Sequence, residues 1–383
     1  MYDFSIIGAG VAGLKLALEM SKEPFFAQKK ILIIEKSNLE INDKRWCFWE
    51  KGIGKYENLI HYQWNKGRFV KKNNSDFFLD LKTYHYKMVL ALDFYNHAKK
   101  TILENKNITW VTDEVVSLDE NPKNVSIICK NNNYISKLCF NSRISPEYHL
   151  DKKYIKVFQH FKGIIIKFEA EVFDPEQFTM MDFTASFDHK TSFMYILPTS
   201  KKEALVEFTL FTSEILEEKI YDQFINTYIK EKISLLPFSI IETERGVIPM
   251  TTFPFHKTHT SKILKIGTAG GWVRPSTGYS FKKSDFYVEQ IIKNIKNNQK
   301  LTKNLFNPKT YLFDTILLSI LKNENEKGPV IFTQMYQNIS VKLIFEFLDG
   351  VTTINKDVRV MLSFNPFPFL KAIWREFILK RFR

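Results

Sequence analysis

The sequence predicts an α/β fold: a Rossmann-like, doubly wound nucleotide-binding sheet with an inserted antiparallel β-sheet and a helical C-terminal region. Three observations predict it. The chain begins with a buried-type strand that runs into a Gly-x-Gly-x-x-Gly turn and an apolar helix; the stretch from about 155 to 210 is strand-rich; and everything after 300 reads as helical. A length of 383 residues suits one large or two to three interlocked domains. With 44% apolar and 25% charged residues the composition is that of a folded protein, not a disordered one. The expected organisation is a discontinuous nucleotide-binding domain over 1–150 and 240–300, an inserted antiparallel domain over 151–239, and a helical cap over 301–383.

The opening unit justifies itself residue by residue. Phe4-Ser5-Ile6-Ile7 is a strand, Gly8-Ala9-Gly10-Val11-Ala12-Gly13 the turn, and Leu14, Leu16, Ala17, Leu18 and Met20 an apolar helix. Ile31-Leu32-Ile33-Ile34 is the second strand, closed by Glu35. An amphipathic helix is expected over 85–104, with strands at 108–111 and 125–128. Further strands are expected at 163–168, 193–197 and 204–210, and a helix near 214–230. The segment 262–267 is another strand running into a Gly-rich turn, followed by a helix from Tyr279 to about Asn297. Asn365-Pro366-Phe367-Pro368 interrupts the last helical stretch.

In the first turn, Gly8 makes the tight bend, Gly10 lets the backbone approach a pyrophosphate, and Gly13 lets helix and strand pack closely. Glu35 ends the next strand about 20 residues on, where a carboxylate accepts both ribose hydroxyls and disfavours a 2′-phosphate. The nucleotide is therefore FAD or NAD and not NADP. The extreme N-terminal position favours FAD, as does the second glycine turn at Gly267, Thr268, Ala269, Gly270 and Gly271. Composition excludes other classes. No stretch reaches the ~18 apolar residues of a spanning helix, and Cys47, Cys129 and Cys139 lack metal-ligand spacing, so a reduced, cytoplasmic setting without a cleaved leader is expected. The net charge of +13 permits an anionic membrane face, but no nucleic-acid-binding signature accompanies it. The histidines show no metal spacing, and His256 and His259 are read as surface residues.

The segment Ile266–Phe281, reading I-G-T-A-G-G-W-V-R-P-S-T-G-Y-S-F, resembles the lycopene cyclase family of FAD-binding carotenoid enzymes. Asn42–Glu50, His160–Gly163, Met181-Asp182-Phe183, Tyr195–Pro198, Val206–Phe211, Phe347-Leu348-Asp349 and Leu362–Leu370 fit the same family in the right order. Asn141-Ser142-Arg143 stands where an Asp-Ser-Arg-type segment is expected, and Thr184 follows Met-Asp-Phe in place of Arg. The resemblance implies bound FAD kept reduced by NAD(P)H through an external reductant, with no net redox change and a linear carotene such as lycopene as substrate.

Such a reaction protonates an unactivated alkene, so it needs a strong acid in a dry site. Burial among aromatics raises a carboxyl's pKa and keeps it loaded. Glu207, in an apolar strand, is the leading candidate, sharing a face with Thr209 and Phe211 and opposite Phe208; pattern alone equally allows an exposed edge-strand acid. Asp182 is the second choice, or the partner that orients and reprotonates. Phe183, Tyr195, Phe208 and Trp272 are candidate tunnel lining, since aromatic faces stabilise cations, although ordinary core packing explains each one singly. The abundant aromatics (35 Phe, 16 Tyr, 6 Trp) suit a long hydrophobic ligand as well as a core. Leu370, Ile373, Trp374, Phe377 and Ile378 repeat at helical spacing beside Lys371, Arg375, Lys380, Arg381 and Arg383. That helix either lies peripherally in a membrane interface or packs on the core. The competing functions are a redox flavoprotein (an isoprenoid or lipid reductase, or a monooxygenase) and a carrier that keeps FAD structurally.

Overall fold

Strand β1 (Tyr2–Ile7) is buried along Phe4–Ile7, as a central parallel strand covered on both faces must be. In the computed structural model, which describes residues 1–379, it sits within a seven-stranded sheet. The order is β8 (Ile108–Thr112), β2 (Ile31–Glu35), β1, β11 (Asn133–Asn141), β10 (Val125–Cys129) and β9 (Val115–Glu120), with β17 (Ile263–Lys265) pairing β11. All pairs are parallel except those of β10 with β11 and β9. Helices α1 (Val11–Lys22), α2 (Ala91–Leu103) and α5 (Phe281–Lys296) share one core with β1 and β2. Lys15, wholly buried, ties α1 to α5: its Nζ donates to the Phe281 carbonyl at 2.8 Å and to Asp285 at 2.6 Å.

The helix expected over 85–104 starts only at Ala91. Tyr84–Leu90 is strand β7, the centre of a three-stranded sheet between β3 (Arg45–Lys51) and β4 (Ile60–Trp64). Pairing on both sides and burial of Tyr86, Met88 and Val89 outweigh the helical spacing of the apolar residues.

The second large sheet runs β16 (Phe238–Thr251), β12 (Lys156–Phe168), β15 (Glu203–Thr212), β14 (Ser192–Pro198), β13 (Gln177–Asp182), β5 (Lys66–Val70) and β6 (Asp76–Asp80). It is antiparallel apart from the parallel β13–β5 pair. Its membership corrects the expected boundaries. Strand β16 crosses the 239/240 border to pair with β12 along nearly its whole length, and β5 and β6 come from the first 150 residues. On one face, Phe208 and its neighbours pack under α4 (Glu218–Tyr228). The other face turns toward the C-terminal helices. These are α6 (Pro308–Asn323), α7 (Gly328–Asn338), α8 (Val341–Leu348), α9 (Ile354–Met361) and α10 (Pro366–Ile373), while α3 (Pro146–Leu150) is a short turn of helix earlier in the chain. Asn365 caps α10 through its side chain, with Pro366 in the first turn, so the Asn-Pro-Phe-Pro segment starts a helix as well as ending one. Of the basic residues expected near the end of the chain, Lys380, Arg381 and Arg383 lie outside the described residues.

Candidate active site

The glycine turn after β1 has the geometry its sequence requires. Gly8 takes φ +89°, and a Cβ there would meet Ser142 Oγ at 2.0 Å; one at Gly13 would meet the Gly8 carbonyl oxygen at 2.1 Å. A Cβ at Gly10 would meet nothing within 4 Å. Gly10 is therefore the open floor of a hollow at the N-terminus of α1, where the first backbone N–H groups have no partner in the helix. Glu35 lies against this turn: Ala9 N–H donates to Oε2 at 2.6 Å, while Ser37 N–H and Oγ both donate to Oε1 at 3.1 Å. The second glycine turn faces the same hollow through Gly267 (φ +60°) and Thr268. Ala269 is buried behind it, and Gly270 and Gly271 back onto a smaller neighbouring hollow. Two opposed glycine turns, a helix N-terminus and a carboxylate at a strand end fit a flavin dinucleotide.

From this cradle a single cavity of about 1080 Å³ continues past the second sheet to the C-terminal helices. Glu207 is on its wall and only 8% exposed, which settles the edge-strand alternative. Its strand neighbours on that face are Leu205, Thr209 and Phe211, also on the cavity wall. Thr209 Oγ1 donates to Glu207 Oε1 at 2.5 Å. Burial first, and the nearby Glu244 second, push the Glu207 carboxyl up to about 8. Glu244 is held by Arg45, whose Nη1 donates to Glu244 Oε2 at 2.5 Å while Nη2 donates to Glu242 Oε2 at 2.5 Å. Burial also raises Glu244, against the pull of Arg45. Tyr195 pairs in register with Glu207 and lines the cavity, its hydroxyl donating to Tyr86 at 2.7 Å, with Tyr279 next in line at 3.0 Å. Such a site can hold a neutral carboxylic acid at neutral pH against an apolar guest.

Tyr195 lines this wall, but four other candidates do not. Phe208 points to the opposite face and stacks on Phe224 with centroids 4.6 Å apart, as strand alternation demands of a neighbour of Glu207. Phe183 is core packing among Phe69, Phe193 and Phe332. Trp272 stacks on Tyr287 beside the smaller hollow. Asp182 is apart from Glu207: an irregularity in the β13–β14 pairing leaves Met180 and Met181 on the cavity and turns Asp182 toward α4. There Thr184 N–H (2.9 Å) and Oγ1 (2.6 Å) donate to Oδ1, and Tyr228 donates to Oδ2 at 2.6 Å. Thr184 thereby does the holding in place of the expected Arg. Ser142 donates to the Ile7 carbonyl at 2.8 Å beside the cradle. His256 is half-buried against Phe306, and His259 accepts from Lys265 N–H at 3.0 Å, so neither is a plain surface residue.

The sequence reading missed Arg45 and Glu244. The signal for Glu244 was the alternation of Glu242, Glu244 and Gly246 on the half-buried positions of β16, which was obscured by assigning that stretch to the nucleotide domain. The conspicuous 266–281 block has a second task. Arg274 donates to Asp314 (3.0 Å) and to the carbonyls of Phe347 (3.2 Å) and Leu348 (2.5 Å), joining the glycine turn to α6 and α8. Trp49 donates to Asp349 at 3.0 Å, bringing together two of the segments that carried the resemblance.

The fold is the mixed α/β architecture of FAD-dependent monooxygenases and reductases. It is similar to a flavin-dependent brominase (TM-score 0.63, 14% identity, all of both chains). It is also similar to a geranylgeranyl bacteriochlorophyll reductase-like protein from Thermoplasma acidophilum (TM-score 0.57, 14% identity, 98% of this chain and 96% of the other). Within that class, the chain belongs to the lycopene cyclase protein family, which matches residues 3–373. Among curated relatives, the chloroplastic neoxanthin synthase of Solanum lycopersicum is 23% identical over 308 residues, covering 74% of this chain and 58% of the relative. The corresponding enzyme of Solanum tuberosum is 22% identical over 323 residues, covering 78% and 62%. The match spans about six tenths of the length of these relatives.

Proposed function

We propose that the protein is a lycopene-type cyclase that closes β-ionone-type rings at the ends of a linear carotene, an intramolecular lyase or isomerase with Glu207 as the general acid. The observation that carries this reading is a buried carboxyl, raised by its burial, on the wall of an apolar cavity continuous with the glycine-turn cradle. The Glu207 O–H bond breaks as a C–H bond forms at the terminal alkene. The neighbouring double bond closes on the cation, and loss of a ring proton back to the carboxylate restores the acid. Phe193, Phe211 and Tyr195 offer ring faces to the cation, and the dry wall keeps water from trapping it. FAD, held at Gly8–Gly13 and Gly267–Thr268 and reduced by NAD(P)H through an external donor, would supply an electron-rich ring beside the developing charge. The cavity's far end supports delivery from a membrane surface: Met361, Leu362, Leu370 and Ile373 line it and are also exposed, with Trp374 beside them. Among the described residues no helix is long and apolar enough to cross a membrane.

The test is anaerobic incubation of purified protein with lycopene, FAD and dithionite, product being followed by chromatography and absorption. Ring-bearing carotenes from the wild type and none from Glu207→Gln with flavin retained support the reading. No cyclic product from any linear carotene overturns it. A lipid reductase or monooxygenase, which the shared fold also accommodates, would consume one NAD(P)H per product; the cyclase consumes none.

A further inference from the structure

Glu207 and Glu244 are on β15 and β16, two strands that do not touch. Strand β12 runs between them, and the residue of β12 in register with both is Gly163. A side chain at that position would project between the two acids. A Cβ built on Gly163 would stand 3.3 Å from Glu207 Cβ, 3.2 Å from Glu244 Cγ and 2.9 Å from Leu205 Cδ1. The missing side chain is therefore the gap across which the two acids face each other, and the presence of Glu244 raises the Glu207 carboxyl. Like charges held this close cannot both ionise cheaply in a dry site, so one proton is retained between them. Arg45 decides which carboxyl keeps it, because the hydrogen bonds of its fork go to Glu244 and Glu242, while its charge reaches Glu207 only as a weaker, through-space pull.

We infer that Glu207 and Glu244 share one proton across Gly163, with Arg45 fixing Glu244 as the charged member, which makes Glu244 the positioning residue that keeps the acid loaded. The inference rests on Glu207 as the acid of the proposed cyclisation. When Glu207 gives its proton to the alkene, both carboxyls are anionic and only one is neutralised by Arg45. The proton released by the ring cation then returns to the pair, so the cycle balances without oxidant or reductant. The other ionisable groups facing Glu207 are Tyr195 from β14, Arg45 and Cys47 from β3, Tyr86 from β7, Tyr279 from the loop before α5, and Glu242 beside Glu244. None of these carries a positive charge except Arg45, which is already committed.

The test is a pH titration of the flavin-loaded protein by infrared difference spectroscopy, beside the pH profile of product formation. A protonated-carboxyl band that Glu207→Gln removes is the Glu207 signal. Glu244→Gln removes the neighbouring charge, so its midpoint and the alkaline limb of activity should fall by about one to two pH units, with the low-pH rate largely kept. A merely structural Glu244 would lower activity at every pH and leave both midpoints in place, and that result overturns the inference. Should Glu244→Gln not hold flavin, Gly163→Ala keeps both acids and the fork but forces them apart. It must move the midpoint in the same direction by a smaller amount; an unchanged midpoint there also overturns the inference. If the band titrates as described but no carotene cyclises, the shared proton stands and the proposed function is what fails.

Discussion

Glu207 and Asp182 are two buried acids in the same sheet, separated only by β14, and their surroundings differ in kind. Asp182 receives three donors, two from Thr184 and one from Tyr228. Its lone pairs are spent on holding β13 to α4. Glu207 receives one donor, from Thr209, and has another carboxyl as its neighbour. Burial alone therefore does not set how tightly a carboxyl holds its proton. What separates an acid from a structural carboxylate is the count of hydrogen-bond donors around it and the sign of the nearest charge. Both residues are under a tenth exposed (8% and 3%), so exposure would rank them alike.

The widest separation between them is catalytic. Glu207→Gln keeps the shape of the side chain and removes the proton, and cyclic product should fall by about 10²–10⁴-fold with bound flavin retained. Asp182→Asn should leave product formation within a few-fold of wild type. Its effect belongs in the melting curve, since the amide NH2 that replaces Oδ2 cannot accept the Tyr228 O–H. A loss of about 1–3 kcal/mol in denaturant unfolding is expected. Collapse of activity in a folded Asp182→Asn would break the comparison.

How much of this could be read in the sequence follows from how local each signal is. The glycine-turn cradle was legible because strand, glycine turn, helix and Glu35 are consecutive, with Gly8 and Gly13 each answering a steric demand from a near neighbour. The place of Glu207 on the cavity wall was legible because an acid inside Leu205–Phe211 violates an apolar strand. Asp182 carried the same kind of signal and was misread, because Tyr228, its decisive donor, is on a helix 46 residues away. Phe208 could have been placed by alternation alone, which puts it opposite Glu207. Gly163 and Glu244 are brought beside Glu207 only by the order of strands in the sheet, and Arg45 reaches Glu244 from β3 of a different sheet, so no window of sequence contains the arrangement.

The third consequence is a pH dependence of stability. The Glu207 carboxyl is raised from 4.5 to about 8 in the folded protein, so between those values the folded chain holds a proton that the unfolded chain has released. Stability from this site is therefore lost as pH rises through that window, by up to about 1.4 kcal/mol per pH unit. Urea unfolding of wild type and Glu207→Gln across that range should show the variant's stability falling less steeply. Parallel curves would mean that Glu207 is not the proton holder.

The smallest effect is the most discriminating, because its sign is opposite to that of removing Glu244. Thr209 lowers the Glu207 carboxyl by a hydrogen bond, and its side chain is wholly buried. Thr209→Val keeps the branched shape and takes the donor away, so the ionised form loses its support and Glu207 binds its proton more tightly. The alkaline limb of product formation should move upward by a fraction of a pH unit, roughly the worth of one net hydrogen bond. Tyr228→Phe removes a donor of the same strength from Asp182. It should cost about 1 kcal/mol of stability and leave the limb where it was. If both variants moved the profile alike, the two acids would form a single titrating unit across β14. If only Thr209→Val moves it, and upward, the proton resides on the side of the sheet that faces the cavity.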